Sequence, residues 1–214
     1  MTLILALLLQ MAPATAAEFS EAEHVRLSGD LEQLTSRQLW AGAEKKYQEL
    51  VEMEKDAGRS ILTFEDLLFG AYAARALGHM LDVRDRLTRA ALMEGPEERM
   101  KEVQDWLSSI RSTYGQVRLL AHNARNVDFA PELLPMDPDQ RTSVELAADA
   151  IRKYGAFTGL LPRGDYSFAG HSFRVEPGVA VTIETSPRLK KTHGEVVRTA
   201  PDPLVDPGPS PSSP

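Results

Sequence analysis

The sequence predicts an α+β fold: antiparallel helical hairpins first, then a small β-rich module that carries one helix, then a tail without structure. Two contrasts in the chain predict it. From 18 to about 114, glycine and proline are sparse and apolar residues recur at helical spacing. From 159 to 183 the pattern changes. Gly159, Gly164, Gly170 and Gly178, with Pro162 and Pro177, separate short alternating runs of the kind that make small strands joined by tight turns. These contrasts divide the chain into a leader at 1–16, a helical unit at 18–114, a β-rich unit at 115–185 and a tail at 186–214. With 43% hydrophobic and 26% charged residues in 214, the chain can form one or two units with cores of their own.

The leader is apolar from 2 to 11 apart from Thr2 and Gln10, which is too short to span a bilayer. Ala14, Thr15 and Ala16 supply the small-x-small pattern of a secretory cleavage site, so cleavage after Ala16 and export are expected. No Lys or Arg precedes the apolar run, and its positive end is the amino terminus alone. The alternative is an uncleaved, buried amino-terminal helix. The chain has no cysteine, which excludes a disulfide framework, a thiol nucleophile and a lipid anchor on cysteine. A net charge of −7 argues against a general binder of nucleic acid or of anionic membranes.

In the helical unit, Val25, Leu27, Leu31 and Leu34 mark a first helix, bent or interrupted at Ser28 and Gly29. Thr35 or Ser36 can cap a second, whose apolar face runs through Leu39, Trp40, Ala43, Tyr47, Leu50 and Val51 until Gly58. A third begins at Thr63, with Glu65 and Asp66 in its first turn, carries Leu67, Leu68, Ala71, Ala74 and Leu77, and stops at Gly78. The fourth covers 79–93 with Val83, Leu87 and Ala90 inward. Pro96 opens a fifth that buries Met100, Val103, Trp106, Leu107 and Ile110, and Gly115 closes it.

The β-rich unit opens with a strand at 116–121. A proline-bearing loop at 122–139 follows, in which Val127 and Phe129 can pair as a short edge strand. Asp137 or Asp139 caps a helix over 142–154 with Val144, Ala147, Ala148 and Ile151 on its apolar face. If Ala169 and Gly170 form a two-residue turn, Tyr166 faces Phe173 and Asp165 faces Arg174. One face then carries Tyr166, Phe168, Phe173 and Val175, and the other Asp165, Ser167, Ser172 and Arg174. For the last strand, two arrangements are open. A two-residue turn at Pro177 and Gly178 sets Ala180 opposite Val175, whereas a bulge or pairing with 116–121 brings Val179, Val181 and Ile183 inward.

Ala43, Tyr47 and Leu50 share their spacing with Val83, Leu87 and Ala90, 40 residues later. This resembles the second helix of a tetratricopeptide unit, and Phe69, Gly70 and Ala73 resemble the first. The family's period is 34 residues, so about six extra must be absorbed between 55 and 63. The resemblance covers about 20 to 111 and implies a helical array with a concave protein-binding face; an ordinary helical bundle is the alternative. Farther on, Leu161, Pro162, Gly164, Tyr166, Pro177 and Gly178 resemble the small β-sandwich modules of the PEGA and carboxypeptidase-regulatory-like kind, which lack the 142–154 helix.

No residue set carries recognisable chemistry. His79 with Asp82 and Asp85 comes nearest to metal-ligand spacing, and Asp137 with Asp139 to a calcium loop, but neither supplies a full ligand set. From Gly159 to Gly164 the glycines have phosphate-loop spacing, with Asp165 where lysine is required. Trp40, Tyr47 and Trp106 read as core anchors. The tail is too polar and proline-rich to offset its ordering entropy and begins basic at Arg188, Lys190 and Lys191. The expectation is an exported, periplasmic or extracellular, non-enzymatic scaffold that binds a protein partner in the envelope, with no catalytic residues, metal or cofactor. The alternative is a carbohydrate or peptidoglycan binder using Tyr166, Phe168, His171 and Phe173 in the β-rich unit.

Overall fold

The structure, a computed structural model, describes residues 20–122, 127–185 and, as backbone, 197–199. The expected leader at 1–16 lies outside the described residues, as does the tail at 186–196 and 200–214. The fold is α+β: among the described residues, five helices are followed by seven short strands in two sheets with a sixth helix among them. Among the described residues no helix is long and apolar enough to cross a membrane.

Helix α1 (Glu21–Ser36) is capped by Ser20, whose hydroxyl accepts from the Glu23 N–H at 3.3 Å. It runs unbroken through Ser28 and Gly29, where a bend was expected. Gly29 faces open space, so it costs the helix only its propensity, about 0.5–1 kcal/mol relative to alanine. Leu27 and Leu31 enter the core, whereas Val25, about 200° round the helix from Leu27, is 64% exposed. Thr35 and Ser36 belong to α1 and do not cap α2 (Trp40–Ala57). The chain reverses at Gln38, with φ +57°, and Leu39 stands outside the core at 52% exposure.

Helix α3 (Phe64–Ala76) starts where the sequence places it. Thr63 and Asp66 form a capping box, each side chain accepting from the other's N–H. Helix α4 (Met80–Ala90) ends sooner than expected, and 91–93 make a turn. Between α3 and α4, Gly78 has φ +80°, and a Cβ there would lie 2.9 Å from the Thr142 carbonyl oxygen. Conformation and close packing both demand glycine. Helix α5 (Glu97–Thr113) follows Pro96 and buries Val103, Leu107 and Ile110, but Met100 and Trp106 only in part.

Gly115 does not close α5. The helix passes directly at Tyr114 into β1 (Tyr114–Ala121), and Gly115 lies inside that strand. The reason is space: a Cβ on Gly115 would fall 2.4 Å from the Glu176 carbonyl oxygen. The short edge strand is β2 (Phe129–Pro131), which leaves out Val127, and α6 (Pro138–Tyr154) begins ahead of 142 because Asp137 caps it, with Pro138 in its first turn. Next come β3 (Ala156–Pro162), β4 (Gly164–Phe168), β5 (His171–Val175), β6 (Ala180–Thr185) and β7 (Val197–Thr199).

One sheet has the order β3-β1-β6-β7 and the other β2-β4-β5. The β4–β5 hairpin has the register read from the sequence, Tyr166 opposite Phe173 and Asp165 opposite Arg174. Its turn residues Ala169 and Gly170 both have positive φ, +51° and +80°, as a twist-matched two-residue turn requires. The open question of the last strand is decided by β1. Strand β6 pairs with it in parallel, Val117 beside Val181 and Leu119 beside Ile183, so Val181 and Ile183 are buried and Val179, ahead of the strand, is half-buried. Strand β7 falls within the tail and pairs antiparallel with Ala180, Val181 and Thr182, an element that the tail's composition does not signal.

Two hydrophobic cores result. One lies among α1 to α5 and takes in Tyr114 and Leu160; the other joins both sheets to α6 through Val117, Leu119, Val144, Ile151, Leu161, Phe168 and Ile183. Where the helical part meets α6, Arg75 of α3 pairs with Asp139.

Candidate partner-binding face

Helix α3 turns Leu67, Leu68, Ala71 and Ala74 into the core, which leaves Phe69, Tyr72 and Arg75, each three residues apart, along a different side. On α5 the core positions are Val103, Leu107 and Ile110, with Arg99, Glu102 and Trp106 beside them. These two lines meet. The Tyr72 hydroxyl donates to Glu102 Oε1 at 2.7 Å and accepts from Arg99 Nη1 at 2.9 Å. The Tyr72 ring meets Trp106 edge-on, centroids 5.3 Å apart, and Phe69 lies 6.3 Å from Tyr72 on the other side. The Arg75 guanidinium stacks over Trp106 at 4.4 Å while its Nε donates to Asp139 Oδ2 at 2.6 Å.

All of these side chains are half-buried, so the row has fixed geometry and an accessible outer surface. Burial, with Glu102 as hydrogen-bond acceptor and negative neighbour, pushes the Tyr72 phenol up to about 12. It is a neutral donor at every physiological pH. At its far end the row opens into a cleft of about 230 Å³ between α5 and the start of α6, lined among others by Arg75, Trp106, Met80, Ile110, Tyr114 and Asp137. Burial raises the Tyr114 phenol to about 12 as well, so it too stays neutral.

Behind this face, a buried network fixes α3 against α2 and α4. Arg86, 5% exposed, donates from both terminal nitrogens to Glu44 at 2.6 Å and from Nη1 to the Gly70 carbonyl at 2.6 Å. Its guanidinium lies 3.9 Å from the Tyr47 ring centroid. Burial pushes the Glu44 carboxyl up, but the hydrogen bonds and charge of Arg86 outweigh it and hold the group below the usual carboxylate range. The Tyr47 ring lies against Gly70, where a Cβ would come within 2.3 Å of it.

The residues singled out from the sequence fall elsewhere. His79 and Asp82 form an exposed pair at 3.7 Å, while Asp85 takes Arg84. Asp137 accepts from the Gln140 N–H at 3.0 Å as the cap of α6, and Asp139 holds Arg75. Among the described residues, no group of three or more His, Cys, Asp or Glu converges as a metal set. The glycine-spaced run from Gly159 forms strand β3 through Pro162 rather than a loop. Tyr166, Phe168 and Phe173 are buried, and His171 is half-buried. The three buried rings belong to the core, with Tyr166 stacked between Phe129 and Phe173 at 5.9 and 5.6 Å.

Tyr47 is the core anchor expected; Trp40 and Trp106 are only partly buried, and Trp106 belongs to the exposed row. Tyr72, Arg75, Arg99 and Glu102 were not singled out. For Tyr72 and Arg75 the sequence carries a signal, since Phe69, Tyr72 and Arg75 recur every third residue off the main apolar face of α3. Comparisons with protein-family models, with curated proteins and with solved structures find no match to this chain.

Proposed function

We propose that the chain is an exported, non-enzymatic binding protein of the bacterial envelope whose α3–α5 face holds a protein partner. The observation that carries this reading is the half-exposed row Phe69, Tyr72 and Trp106, held in position by Arg75, Arg99 and Glu102. Aromatic residues and arginine dominate binding energy at protein interfaces, and a row already locked by hydrogen bonds loses little side-chain entropy when a partner settles on it. A tetratricopeptide-like array is the architecture this reading adopts. In its favour, Ala43, Tyr47 and Leu50 on α2 and their counterparts Val83, Leu87 and Ala90 on α4 are all buried. Export rests on the apolar run at 2–11 and the small residues at 14–16.

A photo-crosslinking amino acid at Phe69, in the full-length chain in its native host, tests the reading. The expected result is a discrete product with another protein, lost when Trp106→Ala is added and absent when the probe replaces the exposed Leu92 of the α4–α5 turn. If Phe69 gives no product and the purified chain instead sediments with purified cell wall, independently of Tyr72 and Trp106, the α3–α5 reading fails. The carbohydrate-binding alternative would take its place, although three of its four aromatic candidates are buried.

A further inference from the structure

Helices α1 and α2 leave a groove of about 590 Å³ between them, in which Leu27, Met53 and Ala57 supply the apolar surface. Met53 and Ala57 are half-buried, so part of each faces the groove uncovered by any described residue. Charge does not single out an occupant. Of the groove's carboxylates, Glu23 pairs with Arg26, Glu49 with Lys46 and Glu52 with Lys55, and the remaining Asp56 and Lys45 are of opposite sign. What the groove offers is its apolar floor.

Chain connectivity names the occupant. Ser20 lines the groove and is itself held in place as the cap of α1. Its hydroxyl accepts from the Glu23 N–H at 3.3 Å, its carbonyl accepts from the His24 N–H at 3.1 Å, and its backbone is extended, with φ −94° and ψ 104°. The preceding residue therefore starts at the groove wall, its Cα ~3.8 Å from that of Ser20. That residue is Phe19, the one large apolar side chain between the run at 2–11 and α1. An apolar residue just ahead of a helix cap commonly packs on the fourth helical residue. Here the fourth is His24, which lies 3.2 Å from the Asp66 carboxylate, so α1 offers no apolar partner at that position. The α2 wall, with Met53 and Ala57, does. A ring tethered beside the groove also acts at a far higher effective concentration than a free partner. We propose that Phe19 packs into the α1–α2 groove against Met53 and Ala57, so that the first hairpin is closed by the residue that precedes it. Phe19 is retained whether or not the chain is cleaved after Ala16, and the proposal stands independently of export and of the α3–α5 face.

Two measurements on the chain purified from its native host test this. In the first, a photo-reactive phenylalanine analogue replaces Phe19, and the product is mapped by mass spectrometry. The expected product is an intramolecular link from 19 to Leu27, Met53 or Ala57. In the second, dilute hydrogen peroxide is added and the oxidation rate of each methionine is followed. Phe19→Ala should uncover the Met53 sulfur and raise its rate about threefold or more, because susceptibility follows exposure. Met136, already 92% exposed, should keep its rate and serves as the internal control. An unchanged Met53 rate in Phe19→Ala overturns the proposal. So does a link from 19 to a second copy, to another protein or to a site outside the groove, or no link at all. A photo-reactive residue at Phe69 reads the α3–α5 face separately, so either surface can fail while the other stands.

Discussion

Arg86 of α4 and Glu44 of α2 form a two-pronged ion pair, both contacts at 2.6 Å, in which the arginine side chain is 6% exposed and the glutamate 20%. The pair ties two consecutive hairpins together, and the same guanidinium reaches α3 at the Gly70 carbonyl. Removing one partner of such a pair leaves an uncompensated charge in a dry site. Glu44→Ala should therefore lower stability by about 3–5 kcal/mol in denaturant unfolding, the usual cost of breaking a buried pair.

The same pair makes stability depend on pH. The Glu44 carboxyl is held below its ordinary value of 4.5 in the fold, so the folded state keeps it ionised while the unfolded chain takes up its proton. Its contribution is present in full above about 4.5 and is lost as pH falls through the lower, folded value. Glu54, paired with Arg89 at 2.8 Å and shifted in the same direction, adds to the effect. Melting temperature should fall below about pH 4.5, and Glu44→Gln should flatten that part of the profile. An unchanged slope in Glu44→Gln would remove Glu44 as its source.

Gly70 is required by the ring above it. In Gly70→Ala the new methyl would meet Tyr47 Cδ2 at 2.3 Å, and the ring could not move aside without leaving Arg86. A loss of about 1–3 kcal/mol is expected, as for other overpacked cores. Trimming the ring in Tyr47→Leu should make the alanine at 70 nearly neutral when the two are combined, which a double-mutant cycle measures.

In the β-rich part, Phe173 is 6% exposed and stacks on Tyr166, whereas Asp165 and Arg174 pair at 3.1 Å on the open side of the same hairpin. Phe173→Ala should cost about 3–5 kcal/mol, and Asp165→Ala no more than about 1 kcal/mol. Thermal melts of the two variants check the ranking. An unchanged melting temperature for Phe173→Ala would mean that its ring is not part of the core.

Export predicts the mature amino terminus. Intact-mass measurement of the chain from its native host should give a start at Ala17 or close to it, from the small residues at 14 and 16. A product retaining residues 1–16 would leave the envelope assignment without support.

Local chemistry alone determined much of this protein. Thr63 and Asp66 wrote the start of α3, the i, i+3 and i+4 apolar spacings wrote the inward faces of α2 to α6, and Ala169 and Gly170 wrote the hairpin register. Each depends on residues close in the chain, so each was legible there. Tertiary packing decided the rest. Gly115 looks like a helix stop and is instead a strand residue, because the Glu176 backbone passes too close for any side chain. Val181 and Ile183 turn inward because β6 lies parallel to β1, a partner 64 residues away in the pair Val117 and Val181, which no local turn specifies. Trp106 reads as core by its helical spacing, but it lies half-exposed between Tyr72 and Arg75 of a different helix. Arg86 and Glu44 are two ordinary surface-type charges until α2, α3 and α4 assemble and exclude water around them. Spacing says which residues can share a face; what covers that face is set by elements distant in sequence.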